Sequence, residues 1–184
     1  MSEQEYKFSD IIAVPAIRER FEKVRKYFFL RESTYDMSNR CNIRCEGCYY
    51  FQGDKHLFDE NLNASDWQKL MRAEKERGIT FVVLAGAEPS FVPELCKTCY
   101  DEISLGCIAT NGIKVLPKEI DYRIHISVWG NDATSLEIRK AKNMLQRQME
   151  NYQGDSRAIW AYTFTPVNID EAREVTEKLA ANNQ

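Results

Sequence analysis

The chain has 184 residues, 43% hydrophobic and 29% charged, with 8 Gly and 5 Pro; this suffices for one globular domain with a buried core and excludes disordered and fibrous classes. The 25 Lys plus Arg against 28 Asp plus Glu leave a net charge of -3, which argues against broad nucleic-acid binding and leaves room only for a local basic patch. No run approaches the roughly 18 apolar residues of a membrane span, and Met1-Ser2-Glu3-Gln4-Glu5 is acidic where a secretory leader is basic and then apolar, so the expectation is a cytoplasmic protein with no membrane partner.

In chain order, Pro15 followed by Ile17, Phe21, Val24 and Phe28 predicts an N-terminal helix with Pro in its first turn. Its basic residues between Arg18 and Arg31 read as a solvated face partly balanced by Glu19 and Glu22, contact with an acidic partner being the alternative. A strand is expected over Ser33–Ser38, then a cysteine-rich loop, then a helix over Asn63–Arg77 with Trp67, Leu70 and Met71 inward and Gly78 as its stop. Strands follow at Phe81–Ala85, Gly106–Thr110, Arg123–Val128 and Ala158–Thr165. Leu136, Met144, Leu145 and Met149 form an apolar helical stripe before Gly154, and Ile169–Ala181 is a further helix. Short β-rich runs alternating with longer helical ones predict an α/β fold with a parallel sheet or barrel. The unusual residues fall at the C-terminal ends of the strands, the edge at which such sheets bind ligands.

Six cysteines in a chain expected to lack a secretory leader do not read as a disulfide scaffold. Cys41, Cys45 and Cys48 lie in Cys-Asn-Ile-Arg-Cys-Glu-Gly-Cys, and spacings of four and three suit a loop wrapped around one centre rather than one face of a helix or strand. Thiolates are soft ligands that select zinc, copper(I) or iron–sulfur clusters. Three of them leave one position of a four-ligand site open, the feature that separates catalytic from structural metal sites. Cys96 and Cys99 read as a helical pair packing into the core, with an auxiliary cluster as the alternative, and Cys107 as a core residue of its strand. His125, within a strand, is expected to face inward; His56, in a polar loop, has no role.

With these residues in view, the sequence resembles the radical S-adenosylmethionine (radical SAM) enzymes. Cys41-x3-Cys45-x2-Cys48 looks like their signature. Ala85-Gly86-Ala87-Glu88-Pro89 is similar to their Gly-Gly-Glu-Pro segment, Ala109-Thr110-Asn111-Gly112 to their Thr-Asn-Gly, and Ser127-Val128-Trp129-Gly130 to their Ser-x-Asp-Gly, all in order. The resemblance runs from about Thr34 to the C-terminus. It implies an open partial (β/α) barrel of about five to six parallel strands with outer helices, residues 32–184, preceded by a helical extension, residues 1–31. The resemblance leads to the expectation that the family's sixth strand–helix unit lacks a counterpart in residues 32–184; Phe8–Val14 as an edge strand is one way to supply it, and a naturally short or trimmed chain is the other reading.

The resemblance further implies a [4Fe-4S] cluster on Cys41, Cys45 and Cys48 and reductive cleavage of S-adenosylmethionine to a 5'-deoxyadenosyl radical, in an oxygen-sensitive protein. That radical would abstract hydrogen from a small-molecule or peptide substrate, such as a peptide or natural-product precursor, with flavodoxin or ferredoxin as reductase. Gly86, Ala87 and Glu88 would accept from the methionine amino group; Ser127 and Arg139 would meet its carboxylate; Asn111 would contact ribose or methionine. Tyr49 would shield the cluster or pack on adenine, although Gly47 stands where many members have an aromatic, and Trp129 replaces the acidic residue of Ser-x-Asp-Gly. Two further readings are a cluster-binding scaffold or subunit that needs a partner, and a zinc module closed by Cys96 or Cys99.

Overall fold

The computed structural model describes residues 8–25, 30–51 and 62–182; Phe28, His56 and the first five residues lie outside them. In chain order the elements are α1 (Phe8–Ala13), α2 (Pro15–Val24), β1 (Glu32–Asp36), α3 (Ala64–Glu76), β2 (Phe81–Ala85), α4 (Pro93–Glu102), β3 (Gly106–Thr110), β4 (Arg123–Val128), α5 (Asp132–Arg139), α6 (Met144–Asn151), β5 (Ala158–Tyr162) and α7 (Ala172–Asn182). Short 3-10 turns occupy Tyr49–Phe51 and Pro89–Phe91. The strands form one sheet in the order β1-β2-β3-β4-β5, every neighbouring pair parallel, with β1 and β5 at the edges. The sheet is an open partial barrel. Among the described residues no helix is long and apolar enough to cross a membrane.

The two faces of the sheet differ. Val82, Leu84, Ile108, Ile124 and Ile126 point to the helices and are fully buried with Trp67 and Met71 of α3 and Cys96 and Cys99 of α4. On the other face Val83, Ala109, His125, Ser127 and Ile159 are only half-buried. Parallel sheets normally have both faces covered, so the half-open hollow is the unusual surface of this molecule. α3 starts at a capping box, the Asn63 side chain accepting from the Ser65 and Asp66 amides while Asp66 accepts from the Asn63 amide.

Several boundaries differ from expectation. Phe8–Ala13 is helical, so it supplies no edge strand; nothing in Phe-Ser-Asp-Ile-Ile-Ala alternates with the period of two that a half-buried strand needs. The stripe from Leu136 to Met149 is two helices, because Lys140 and Asn143 both adopt left-handed backbone, and Leu136 is exposed. β5 stops at Tyr162, where Asn168 takes over the chain: it is fully buried, and its carboxamide holds the Thr163 and Trp129 carbonyls and the Thr165 amide. α7 begins at Ala172, leaving Ile169 exposed.

The β3–β4 crossover, residues 111–122, contains no helix. Leu116, Ile120 and Tyr122 are buried in its place, and the carbonyls this leaves need donors. Arg157 supplies them, donating to the Leu116, Pro117 and Ile120 carbonyls while paired with Asp155. The basic face of α2 is largely paired: Arg25 meets Glu22, and Arg20 and Lys23 meet Asp121 ahead of β4.

Candidate functional site

The ends of β1, β2, β3 and β4 are linked to one another by hydrogen bonds, and Asn111 at the end of β3 reaches the segment 41–48. Gly86 has φ +111, and a side chain on it would meet the Ser38 carbonyl at 2.8 Å. Its close approach is therefore to the end of β1, where the Ala87 amide also donates to Ser38 at 2.8 Å. Glu88 is 1% exposed and accepts from the Ser90 amide, the Thr110 hydroxyl at 2.6 Å and the Asn111 amide at 2.7 Å. A carboxylate this enclosed is tolerable because three donors face it, and it joins the end of β2 to the end of β3.

Asn111, also buried, is the hub of the edge. Its Oδ1 accepts from the Ile113 amide at 3.0 Å, its carbonyl accepts from Gln148 of α6 at 2.7 Å, and its Nδ2 reaches Asn42 Oδ1 at 2.7 Å and Cys41 Sγ at 3.6 Å. Gln148 donates as well to the Ser127 carbonyl at 2.8 Å, and Asn151, one turn on, holds the Gly112 and Ile113 carbonyls. Gln148 and Asn42 were not anticipated. The readable signal for Gln148 was a polar residue within the apolar stripe of Leu145 and Tyr152, both of which are buried with it.

The cysteine loop is anchored from several sides. The Glu46 amide donates to the Ile138 carbonyl of α5 at 2.8 Å. Arg44 donates to the Cys41 and Ile43 carbonyls and stacks over the Phe51 ring, 4.1 Å from its centroid. Cys41 and Cys45 pack against Ile43, Ile113, Ala141 and Met144, an apolar backing. Burial pushes the Cys41 thiol above its ordinary value, opposed by hydrogen bonds from the Ile43 amide and Asn111. Tyr49 is exposed, its ring tilted against Tyr50 at 4.6 Å.

Arg139 is 3% exposed, and its NH1 donates to the Ser127 carbonyl. Its Nε is buried with no hydrogen-bond partner, and no carboxylate among the described residues forms an ion pair with it. Ser127 and His125 lie side by side on the hollow face, and burial, with the charge of Arg123, lowers the His125 pKa, so the ring is neutral at pH 7. A cavity of about 600 Å³ lies beside the loop, lined by Asp36, Arg40, Tyr50, Asn63, Trp67 and Leu95 among others; no cysteine lines it.

Cys96 and Cys99 are fully buried in the core face of α4, Cys96 donating to the Pro89 carbonyl, and Cys107 is buried in β3. They do not join the loop, so the zinc site they would close is not formed.

No protein-family model matches the chain. It is 34% identical over 92 residues to an S-adenosylmethionine-dependent nucleotide dehydratase of a Thermoplasmatales archaeon (strain ISO4-H5), covering 48% of this chain and 31% of that protein. It is 26% identical over 125 residues to a probable GTP 3',8-cyclase of Methanopyrus kandleri, covering 65% of this chain and 38% of that protein. Streptococcus suis SuiB, solved bound to the precursor peptide SuiA, superposes over 98% of this chain and 45% of its own, with a TM-score of 0.61 at 18% identity. These relatives and this neighbour support the resemblance to the radical SAM superfamily that the motifs carry. It spans about a third of the length of these curated relatives.

The radical SAM resemblance implies S-adenosylmethionine and an iron–sulfur cluster, and the chemistry of three free loop thiolates and a buried arginine is of the kind such groups need. Among the described residues no three His, Cys, Asp or Glu side chains could hold a single metal ion, Cys41, Cys45 and Cys48 included. A cluster of several irons instead gives each thiolate its own metal atom. The Arg139 guanidinium, with its Nε unpartnered, fits an anionic group such as the methionine carboxylate.

Proposed function

We propose that this chain is a radical SAM enzyme holding a [4Fe-4S] cluster on Cys41, Cys45 and Cys48, with S-adenosylmethionine over the C-terminal edge of the sheet. The observation that carries the reading is the link between the cysteine loop and the strand ends: Asn111 touches both Asn42 and Cys41 while Glu88 and Gln148 hold it from below and behind. When bound, the cluster and S-adenosylmethionine supply one-electron cleavage of a carbon–sulfur bond and a carbon radical that removes hydrogen from substrate.

The chain's own residues bind, orient and shield. Arg139 offers its unpaired Nε to the methionine carboxylate, fixed by its bond to Ser127. Gly86 and Ala87 keep the β1 and β2 ends close enough to form one wall. Glu88 organises the Thr110–Asn111 turn and is available to the amino group through its remaining lone pairs. The hollow face with Ser127 and neutral His125 is the surface left for substrate, for which a peptide, as SuiB binds, is the favoured class and a small molecule the other. A flavodoxin or ferredoxin would deliver the electron. Residues 1–31 are read as an extension and residues 32–184 as the barrel.

Anaerobic reconstitution with iron and sulfide, followed by assay of 5'-deoxyadenosine with S-adenosylmethionine and dithionite, tests the proposal. The parent forms the nucleoside and Cys45→Ala does not; a parent that binds no iron, or binds zinc in its place, overturns it. Among the described residues β5 is an edge strand, which favours a second reading, a subunit completed by a strand from elsewhere, predicting a loaded cluster without cleavage until the partner is added.

A further inference from the structure

The three cysteines differ in what surrounds their sulfurs. Only for Cys41 do the described residues include a side-chain amide donor, Asn111 Nδ2 at 3.6 Å, alongside the Ile43 backbone amide. The orientation of that carboxamide is determined chemically. The Ile113 amide can only donate, and it meets Asn111 Oδ1 at 3.0 Å, so the Nδ2 end must face the loop. There its two hydrogens have two acceptors, Asn42 Oδ1 at 2.7 Å and the Cys41 sulfur. The backbone of Asn111 cannot drift, because Glu88 takes its amide and Gln148 its carbonyl.

Hydrogen bonds to cluster sulfurs are among the determinants of reduction potential. A donor stabilises the more negative, reduced state, and the apolar backing of Cys41 by Ile43, Ala141 and Met144 strengthens that effect. Resting on the cluster assignment above, we infer that Asn111 tunes the cysteine site rather than contacting ribose: its carboxamide donates to the Cys41 thiolate and raises the reduction potential of the cluster bound there.

The test is a dithionite titration, with dye mediators and followed by EPR, of reconstituted parent, Asn111→Leu and Asn42→Ala, each assayed for iron. Asn111→Leu removes the donor, so its midpoint falls; at the potential where half of the parent is reduced, about a tenth of the variant is, the ratio change expected of one charge-assisted hydrogen bond. Asn42→Ala removes the other partner of Nδ2 and leaves the sulfur contact, so its midpoint stays at or above the parent's. An unchanged midpoint in Asn111→Leu at full iron content overturns the inference. So does an equal fall in both variants, the mark of a residue that merely places the loop. If Asn111→Leu takes up no iron, the parent decides: labelled with side-chain 15N asparagine, its reduced cluster shows a nitrogen coupling in pulsed EPR that persists in Asn42→Ala, and absence of that coupling refutes the bond. A parent without a cluster fails the function reading first and this inference with it.

Discussion

Two buried arginines differ in how fully their donors are used. Arg157 is enclosed with every direction of its guanidinium used, by Asp155 and three carbonyls. Arg139 is equally enclosed yet leaves Nε without an acceptor, a desolvation cost that an anionic ligand would relieve. Arg139→Met should therefore weaken S-adenosylmethionine binding to the reconstituted protein by 10- to 100-fold, on the order of the 1.5–3 kcal/mol of a hydrogen bond to a charged group, measured by equilibrium dialysis; Arg139→Lys recovers part of it. Glu88 makes the opposite argument, since its three donors are all from the chain. Glu88→Gln places an NH2 against one of them and should lower apo-protein stability by about 1–3 kcal/mol in urea unfolding, a loss visible with no cofactor present.

The elements show which features local sequence can reveal. The strands of the sheet were readable because their apolar runs end at Gly, Asn or the cysteine loop, and the site edge followed from parallel topology. The break between α5 and α6 was not, because Lys140 and Asn143 have side chains and no proline or glycine announces the left-handed backbone there. It arises from tertiary contacts: the Asp132 carboxylate accepts from the Leu145 amide at 2.7 Å, folding α6 back so that Gln148 reaches β3 and β4. The contact of Asn111 with Cys41 was equally hidden, since a Thr-Asn-Gly turn says nothing of which sulfur the carboxamide meets. Lys140 at φ 56 carries the strain of a side chain in a glycine-favouring position. Lys140→Gly should raise the urea midpoint, worth about 0.5–1 kcal/mol, at the cost of two exposed contacts of the ammonium, one with Glu46 at 3.5 Å and one with the Glu137 carbonyl. A fall in the midpoint would show that the junction is held by the lysine side chain instead.

At the scale of the whole molecule, a parallel sheet covered by helices on one face gathers its polar ligands at one edge and its structural charges at the other. Arg157 and Asp155 precede β5 and close the helix-free β3–β4 crossover, so this pair holds together what helices secure elsewhere in the fold. The side-chain hydrogen bond from Arg157 holds the Asp155 carboxyl below its ordinary value, against the opposing effect of burial. A carboxyl depressed in the folded state contributes stability that is complete above its unfolded pKa and is lost as pH falls through the folded one. The apo-protein should therefore lose stability progressively below about pH 4, and Asp155→Asn, less stable at pH 7, should show a shallower loss over the same range. Urea midpoints of both proteins between pH 7 and acid would measure this. Parallel slopes would place the acid sensitivity in other carboxylates.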